Sequence, residues 1–230
     1  MGEKIIAALD CSVIIKAMDC DATGRGVAVN KTMLLTALHG LFKEGDKFEV
    51  IDRHGKSRKG TVKATWYEAS CVDIAIIQLS ESNTQFEHFI QVHKKPIKLG
   101  AQICLIGLKP TLGPEEFSTY YDPTYVTTII GGTSLFHLRY SAEDGMSGCP
   151  VVVSRDFTLV GVHVASHDKT EAVDVELRPT KRQKGDSQAV TREEFADAMM
   201  TVNSNMHGHG AYTIICEISR VDGLLAQLNQ

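Results

Sequence analysis

The stretch Asp144-Gly145-Met146-Ser147-Gly148-Cys149-Pro150-Val151 places one serine between two glycines, directly before a β-branched run. Glycines let a backbone turn sharply, so the N–H groups of Gly145 and Ser147 can point to one side. Such donors stabilise the oxyanion that forms when a nucleophile attacks a carbonyl carbon. The stretch therefore predicts Ser147 as a nucleophile, with an oxyanion hole made by the backbone of Gly145 and Ser147.

Two earlier segments supply the groups that a serine nucleophile needs. Residues 36–39 read Thr-Ala-Leu-His, and residues 72–79 read Val-Asp-Ile-Ala-Ile-Ile-Gln-Leu. A neutral imidazole suits proton removal near pH 7, and a carboxylate on its other nitrogen fixes the tautomer and stabilises the imidazolium. We therefore predict that His39 is the general base and then the acid, and that Asp73 orients it. Asp46 and Asp52 follow His39 closely and are alternative orienting carboxylates, but Asp73 is preferred because it begins an apolar strand.

Composition narrows the class of protein. The 230 residues include 24 Lys+Arg and 28 Asp+Glu, a balance that argues against a protein devoted to coating nucleic acid. No apolar run approaches the roughly 20 residues needed to span a bilayer, and residues 1–10 lack a secretory leader pattern. None of the six cysteines forms a C-x-x-C pair. We expect reduced, buried thiols, a cytoplasmic protein, and neither a metal nor a cofactor.

Short apolar runs recur along the chain, separated by Gly, Asp, Asn and Pro, whereas helical periodicity is scarce before residue 190. Many short strands at this spacing favour an all-β sandwich or barrel, with one closing helix over 221–228. Residues 109–123 contain three prolines and read as a connection between two lobes. The predicted units are 1–108, the connection 109–123, and 124–230 with a long polar insertion at 168–210.

Taken in order, the three segments resemble the signatures of the chymotrypsin-like serine proteases. Residues 36–39 resemble T-A-A-H, residues 73–77 resemble D-I-A-L-L, and residues 145–150 resemble G-x-S-G-x-P. The resemblance implies two β-barrels, with His39 and Asp73 on the first and Ser147 on the second. Gly40 and Cys149 depart from the secreted members of the family, which points to the intracellular or viral branch, acting in a host cytoplasm if viral.

Residues 161–163 read Gly-Val-His and resemble the G-x-H of the main proteases of positive-strand RNA viruses and of bacterial glutamyl endopeptidases. The resemblance implies that His163 lies at the base of the pocket for the residue before the scissile bond. A neutral ring N–H can donate to a Gln or Glu carbonyl oxygen. Ser141 is a second candidate for this pocket. A start at Gly2 and an end at Gln230 agree with cleavage between Gln and a small residue, so we expect a protease that releases itself from a viral polyprotein.

Two other interpretations remain open. A cellular protease of glutamyl-endopeptidase or HtrA type would share the three catalytic residues, and a catalytically silent binding module could use the same fold. A polypeptide is the expected partner in each case. The basic clusters at Lys56, Arg58, Lys59 and 181–184 are typical of solvated loops, so RNA binding is not expected. The insertion at 168–210 has no counterpart in the family pattern, and its position after His163 suggests a roof over the cleft.

Overall fold

The computed structural model describes residues 2–19, 23–37, 43–68, 72–80, 85–110, 117–129, 135–138, 146–167, 212–221 and 223–228. Within these ranges the strands form two closed antiparallel barrels of six strands each. Apolar side chains fill the barrels. Successive side chains of a strand point to opposite faces, so every second one faces the interior of its barrel. The predicted all-β, two-barrel fold is confirmed.

The first barrel has the strand order β1-β2-β3-β6-β5-β4. Its strands are β1 (Ser12–Ala17), β2 (Thr23–Ala28), β3 (Met33–Thr36), β4 (Lys47–Asp52), β5 (Ser57–Glu68) and β6 (Val72–Leu79). A core cluster that includes Leu34, Phe48 and Ile77 fills it. The register of β5 and β6 shifts at Val62, where a bulge bends the long strand as a closed barrel requires.

The second barrel has the strand order β10-β11-β12-β9-β8-β7. Its strands are β7 (Gln102–Pro110), β8 (Phe117–Ile129), β9 (Leu135–Leu138), β10 (Pro150–Val153), β11 (Leu159–His167) and β12 (Tyr212–Glu217). A core cluster that includes Ile103, Leu105 and Val160 fills this barrel. The predicted insertion at 168–210 lies outside the described residues.

The boundary between the barrels differs from the one predicted. Residues 102–108 already belong to β7 of the second barrel, and the predicted connection 109–123 lies within the hairpin of β7 and β8, where Cys104 pairs with Pro123. The prolines suggested a break, but Pro123 is compatible with a strand. Among the described strands β8 pairs only with β7 at Pro123, and its pairing with β9 begins at Val126, so one side of β8 needs no N–H there. The connection between the barrels instead runs between Leu79 and Gln102.

Two helices lie near the chain ends. The sequence did not predict α1 (Gly2–Asp10), and the closing helix α2 (Leu224–Leu228) is shorter than predicted. One core cluster contains side chains of both helices and of both barrels. α1 precedes the first barrel but packs against β7 of the second, and Asn30 of the first barrel donates from Nδ2 to the Leu228 carbonyl oxygen at 3.5 Å. The helices therefore join the two barrels.

Candidate functional site

The structure describes three of the six predicted site residues: Asp73, Ser147 and His163. His39, Ser141 and Gly145 lie outside the described residues. Only the described residues near His39, Ser141 and Gly145 along the chain can be placed.

Ser147 lies on a tight turn that leads into β10. The Cys149 N–H donates to the Met146 carbonyl oxygen at 3.0 Å, which closes the turn, and Gly148 has a φ of +87°. A positive φ at the third position of a turn is a glycine conformation. Met146 is buried beneath the turn, whereas Ser147 is partly exposed. The turn therefore presents a partly exposed serine directly after a buried methionine.

The second barrel holds this turn from one side through β11. The Gly148 N–H donates to the His163 carbonyl oxygen at 2.8 Å, and the His163 N–H donates to the Cys149 carbonyl oxygen at 2.9 Å. His163 is only 2% exposed. The structure therefore brings His163 and the Ser147 turn together, as neighbours joined through the backbone.

The first barrel holds the same turn from the other side. The Arg25 N–H on β2 donates to the Ser147 carbonyl oxygen at 3.1 Å, and Thr36 Oγ1 on β3 donates to the Arg25 carbonyl oxygen at 2.6 Å. A Cβ on Gly148 would collide with that Arg25 carbonyl and lie 2.9 Å from Thr36 Oγ1. Ser147 therefore lies where the barrels meet, beside the end of β3, which is three residues before His39.

Asp73 is the second residue of β6 and is 0% exposed. β3 and β6 are antiparallel, with Thr36 paired with Ala75. Asp73 therefore lies just beyond the end of β3, on the side where the chain continues towards His39. Asp73 thus lies near Thr36 within the first barrel, two residues before Ala75 on β6. The Ser147 turn lies near Thr36 from the second barrel, through Arg25.

Cys149 is the only described thiol within two residues of Ser147, and its environment is that of a core residue. The side chain is fully buried, and a Cβ on Gly107 would collide with its sulfur. Burial raises the pKa of the Cys149 thiol to about 12, against smaller opposing effects of Arg25 and a backbone hydrogen bond from Leu108. A thiol is nucleophilic as its thiolate. Cys149 is therefore poorly suited to attack a substrate.

Arg25 is a site neighbour that the sequence reasoning missed. Arg25 is 4% exposed, and its Nε donates to the Leu108 carbonyl oxygen of β7 at 2.6 Å. Nη1 donates to the Gly24 carbonyl oxygen at 3.0 Å. Burial lowers the pKa of Arg25 from its ordinary value. The one available signal was a lone charge between Gly24 and Gly26 at the start of an apolar strand.

The alternative carboxylates have other partners. Asp46 accepts from the Lys43 N–H at 2.8 Å in an exposed turn. Asp52 accepts from Arg58 Nη1 at 2.9 Å and from the N–H groups of His54 and Lys56 at 2.9 and 3.0 Å. Both carboxylates therefore stabilise local turns of the β4–β5 region, which leaves Asp73 as the preferred candidate.

Two residues of the predicted basic cluster, Lys56 and Arg58, form ion pairs with Glu87 and Asp52 respectively. Lys56 Nζ lies 2.7 Å from Glu87 Oε1. Arg58 is 3% exposed, and the carbon of its guanidinium lies 5.2 Å from the centre of the Phe86 ring. No group of three or more His, Cys, Asp or Glu among the described residues is placed to hold a metal ion. In the same ranges, no helix is long and apolar enough to cross a bilayer.

Two closed six-stranded barrels with a serine turn at their junction define the chymotrypsin-like class of fold. Residues 24–162 match the trypsin-like peptidase domain family, and the chain belongs to that family. The match includes β2 through β10 and most of the junction between the barrels. The chain thus has the two-barrel architecture of the chymotrypsin-like fold.

Known proteins similar to this chain include a viral polyprotein. The genome polyprotein of Lettuce mosaic virus (strain 0 / isolate French) is 26% identical over 165 residues, which is 71% of this chain. The chain spans only about 5% of that polyprotein.

Solved structures share the fold at low identity. A serine-to-alanine mutant of Rv3671c from M. tuberculosis H37Rv, in its inactive form, is 16% identical with a TM-score of 0.58, over 98% of this chain and 90% of that one. A cysteine-to-alanine mutant of tobacco etch virus protease is 14% identical with a TM-score of 0.59, over 97% and 79% of the two chains. These identities establish a common fold and nothing finer.

Proposed function

We propose that the protein is a serine endopeptidase in which Ser147 is the nucleophile, His39 the general base and acid, and Asp73 the carboxylate that orients His39. One observation carries the proposal: the Ser147 turn packs against Arg25 and Thr36, at the end of the strand that leads to His39, with Asp73 just beyond. The backbone N–H groups of Gly145 and Ser147 are assigned to the oxyanion.

The environment of Cys149 favours the hydroxyl over the thiol as nucleophile. The related structures include one mutant that lacks a serine and another that lacks a cysteine, so both residue types need testing in this chain. Ser147 is partly exposed on the turn, whereas Cys149 is buried with a pKa raised to about 12. A partly exposed serine beside a general base can reach a carbonyl carbon, and a buried neutral thiol cannot.

We further propose cleavage after Gln or Glu, in a polyprotein processed in a host cytoplasm. The similarity to a viral genome polyprotein supports a processing role. The direct backbone link between Gly148 and His163 supports a role for His163 in recognising the residue before the scissile bond. A site that hydrogen-bonds one substrate group rejects side chains that lack it. Ser141 is retained as a second pocket candidate.

A cleavage profile on a mixed peptide library, read by mass spectrometry, tests the proposal. The native chain and its Ser147→Ala and Cys149→Ala variants are compared side by side. We expect cuts after Gln or Glu that vanish in Ser147→Ala and persist in Cys149→Ala. Loss of cutting in Cys149→Ala alone would assign the nucleophile to the thiol instead. A folded native chain that neither cuts nor reacts with a fluorophosphonate would favour the silent binding module.

The specificity is tested by His163→Ala on the same library. We expect the preference for Gln or Glu to weaken while residual cuts still depend on Ser147. An unchanged preference and rate would remove His163 from the pocket. A Glu-only preference would favour the glutamyl-endopeptidase interpretation, and cuts after other residues would contradict the proposed specificity while leaving the assignment of Ser147 intact.

A further inference from the structure

We propose that Arg25 is a positioning residue for the catalytic turn, an inference that rests on the proposed function of Ser147. Arg25 belongs to the first barrel, yet its backbone and its side chain both bind the second. Its N–H donates to the Ser147 carbonyl oxygen at 3.1 Å, and its Nε donates to the Leu108 carbonyl oxygen at 2.6 Å. A single residue thus joins the turn and β7 to the barrel that holds Asp73.

The guanidinium is a costly group to bury, which indicates a specific use. Arg25 lies among the most buried polar residues described, at 4% exposure. Arginine keeps its charge in proteins, so the side chain must be stabilised by fixed hydrogen bonds. Its side chain donates to the backbone carbonyl oxygens of Gly24 and Leu108, which do not move with side-chain rotamers. The side chain is therefore anchored rigidly.

The Arg25 side chain is also linked to the turn through Leu108. Leu108 accepts from Arg25 through its carbonyl oxygen, and its backbone forms a hydrogen bond with the Cys149 thiol. Cys149 is two residues from Ser147 and closes the turn through its own N–H. Arg25 thus contacts the turn at Ser147 directly and near Cys149 through β7. The bond to Ser147 uses the Arg25 backbone and is kept on substitution, whereas the bond to Leu108 uses the side chain. We infer that loss of the guanidinium lets the turn shift relative to the first barrel, where His39 and Asp73 are assigned.

The chain offers a matched control in Arg58. This arginine is also buried, at 3% exposure, but it belongs to β5, and its side chain donates to Asp52 Oδ2 at 2.9 Å and to the Lys56 carbonyl oxygen rather than to the turn or β7. Arg25→Lys and Arg25→Met are compared with Arg58→Lys and Arg58→Met. Lysine keeps the buried charge without the planar fork of donors, so Arg25→Lys tests geometry even if Arg25→Met does not fold.

The experiment measures kcat and KM on a Gln-containing peptide, the rate of labelling by a fluorophosphonate, and thermal stability, with activity normalised to the labelled fraction. We expect Arg25→Lys to lower kcat and the labelling rate at least about tenfold with little change in KM, since a misplacement of about 1 Å can cost a hundredfold. Arg58 variants should lose stability but keep kcat per labelled molecule.

The outcomes separate this inference from the proposed function. A native chain that fluorophosphonate does not label would overturn the assignment of Ser147 itself. A labelled native chain whose folded Arg25→Lys variant keeps the native kcat would overturn the positioning role alone. Equal losses of kcat in the Arg25 and Arg58 variants would also overturn it, because a shared loss reflects only the removal of a buried arginine.

Discussion

The Gly148 N–H donates to the His163 carbonyl oxygen at 2.8 Å, so the turn that carries the proposed nucleophile is bonded to the strand that carries the proposed specificity residue. The opposite side of Gly148 faces the Arg25 carbonyl and Thr36 Oγ1 of the first barrel. Gly148 therefore lies between β11, which carries His163, and the first barrel, to which His39 and Asp73 are assigned. Its lack of a side chain is a condition for that contact.

We expect Gly148→Ala to lose activity and to destabilise the protein by more than about 3 kcal/mol. The new Cβ would meet the Arg25 carbonyl, and alanine disfavours a φ of +87°. Gly55→Ala is the matched control, because Gly55 has a φ of +79° with open space around it. That variant should cost only the conformational penalty of roughly 1–2 kcal/mol and keep kcat. Chemical denaturation and peptide hydrolysis measure both, and equal costs in the two variants would contradict the collision.

We expect Asp73→Asn to lower kcat by about three to four orders of magnitude while the protein remains folded. Asparagine keeps the shape of the buried side chain but cannot stabilise an imidazolium or enforce the required tautomer. Asp46→Asn is the control, since Asp46 caps an exposed turn through the Lys43 N–H. Steady-state kinetics on one peptide, with circular dichroism as the folding check, distinguish the two. A loss in Asp46→Asn that matches the loss in Asp73→Asn would reassign the orienting carboxylate.

The short apolar runs predicted an all-β sandwich or barrel, and the resemblance of residues 36–39, 73–77 and 145–150 to the chymotrypsin-like proteases implied the two barrels that the structure has. The sequence was insufficient for the boundary, because Pro110 and Pro123 suggest a break locally, whereas their placement in the β7–β8 hairpin depends on long-range pairing. Asp73 and Ser147 are predicted from chemistry and motif, and their catalytic roles stay predictions. Arg25 was not predicted, since its partner Leu108 lies 83 positions away along the chain.

The pair of Asp52 and Arg58 should make stability depend on acid pH. Burial disfavours the charged carboxylate, but hydrogen bonds from Lys56, Arg58 and His54 outweigh it and lower the pKa of Asp52 below its ordinary value. A lowered folded pKa means that the stabilisation is present above the unfolded value, near pH 4, and is lost as pH falls through the folded value. Asp52→Asn should therefore cost about 1.5–3 kcal/mol at pH 7.

The test for Asp52 is urea denaturation of the native chain and of Asp52→Asn at pH 7 and below pH 4. We expect the difference in unfolding free energy to shrink at the lower pH, because protonation removes the charge from the native Asp52. Asp156→Asn serves as a comparison, since the pKa of Asp156 is also lowered, against burial, by hydrogen bonds that include one from Thr158. A difference for Asp52→Asn that is independent of pH would contradict the role of its charge.

Cys149 should resist alkylation in the native protein despite its position two residues from Ser147. With its pKa raised to about 12 by burial, the Cys149 thiol is almost entirely neutral at pH 8 and therefore a poor nucleophile. We expect iodoacetamide at pH 8 to leave Cys149 unmodified in the folded chain and to modify it fully in urea, as read by peptide mapping. Cys11, whose pKa burial also raises to about 12, is the internal control for a buried thiol remote from the turn. Rapid native alkylation of Cys149 with loss of peptide hydrolysis, while Cys11 stays unmodified, would show that the turn opens and would favour the thiol as nucleophile.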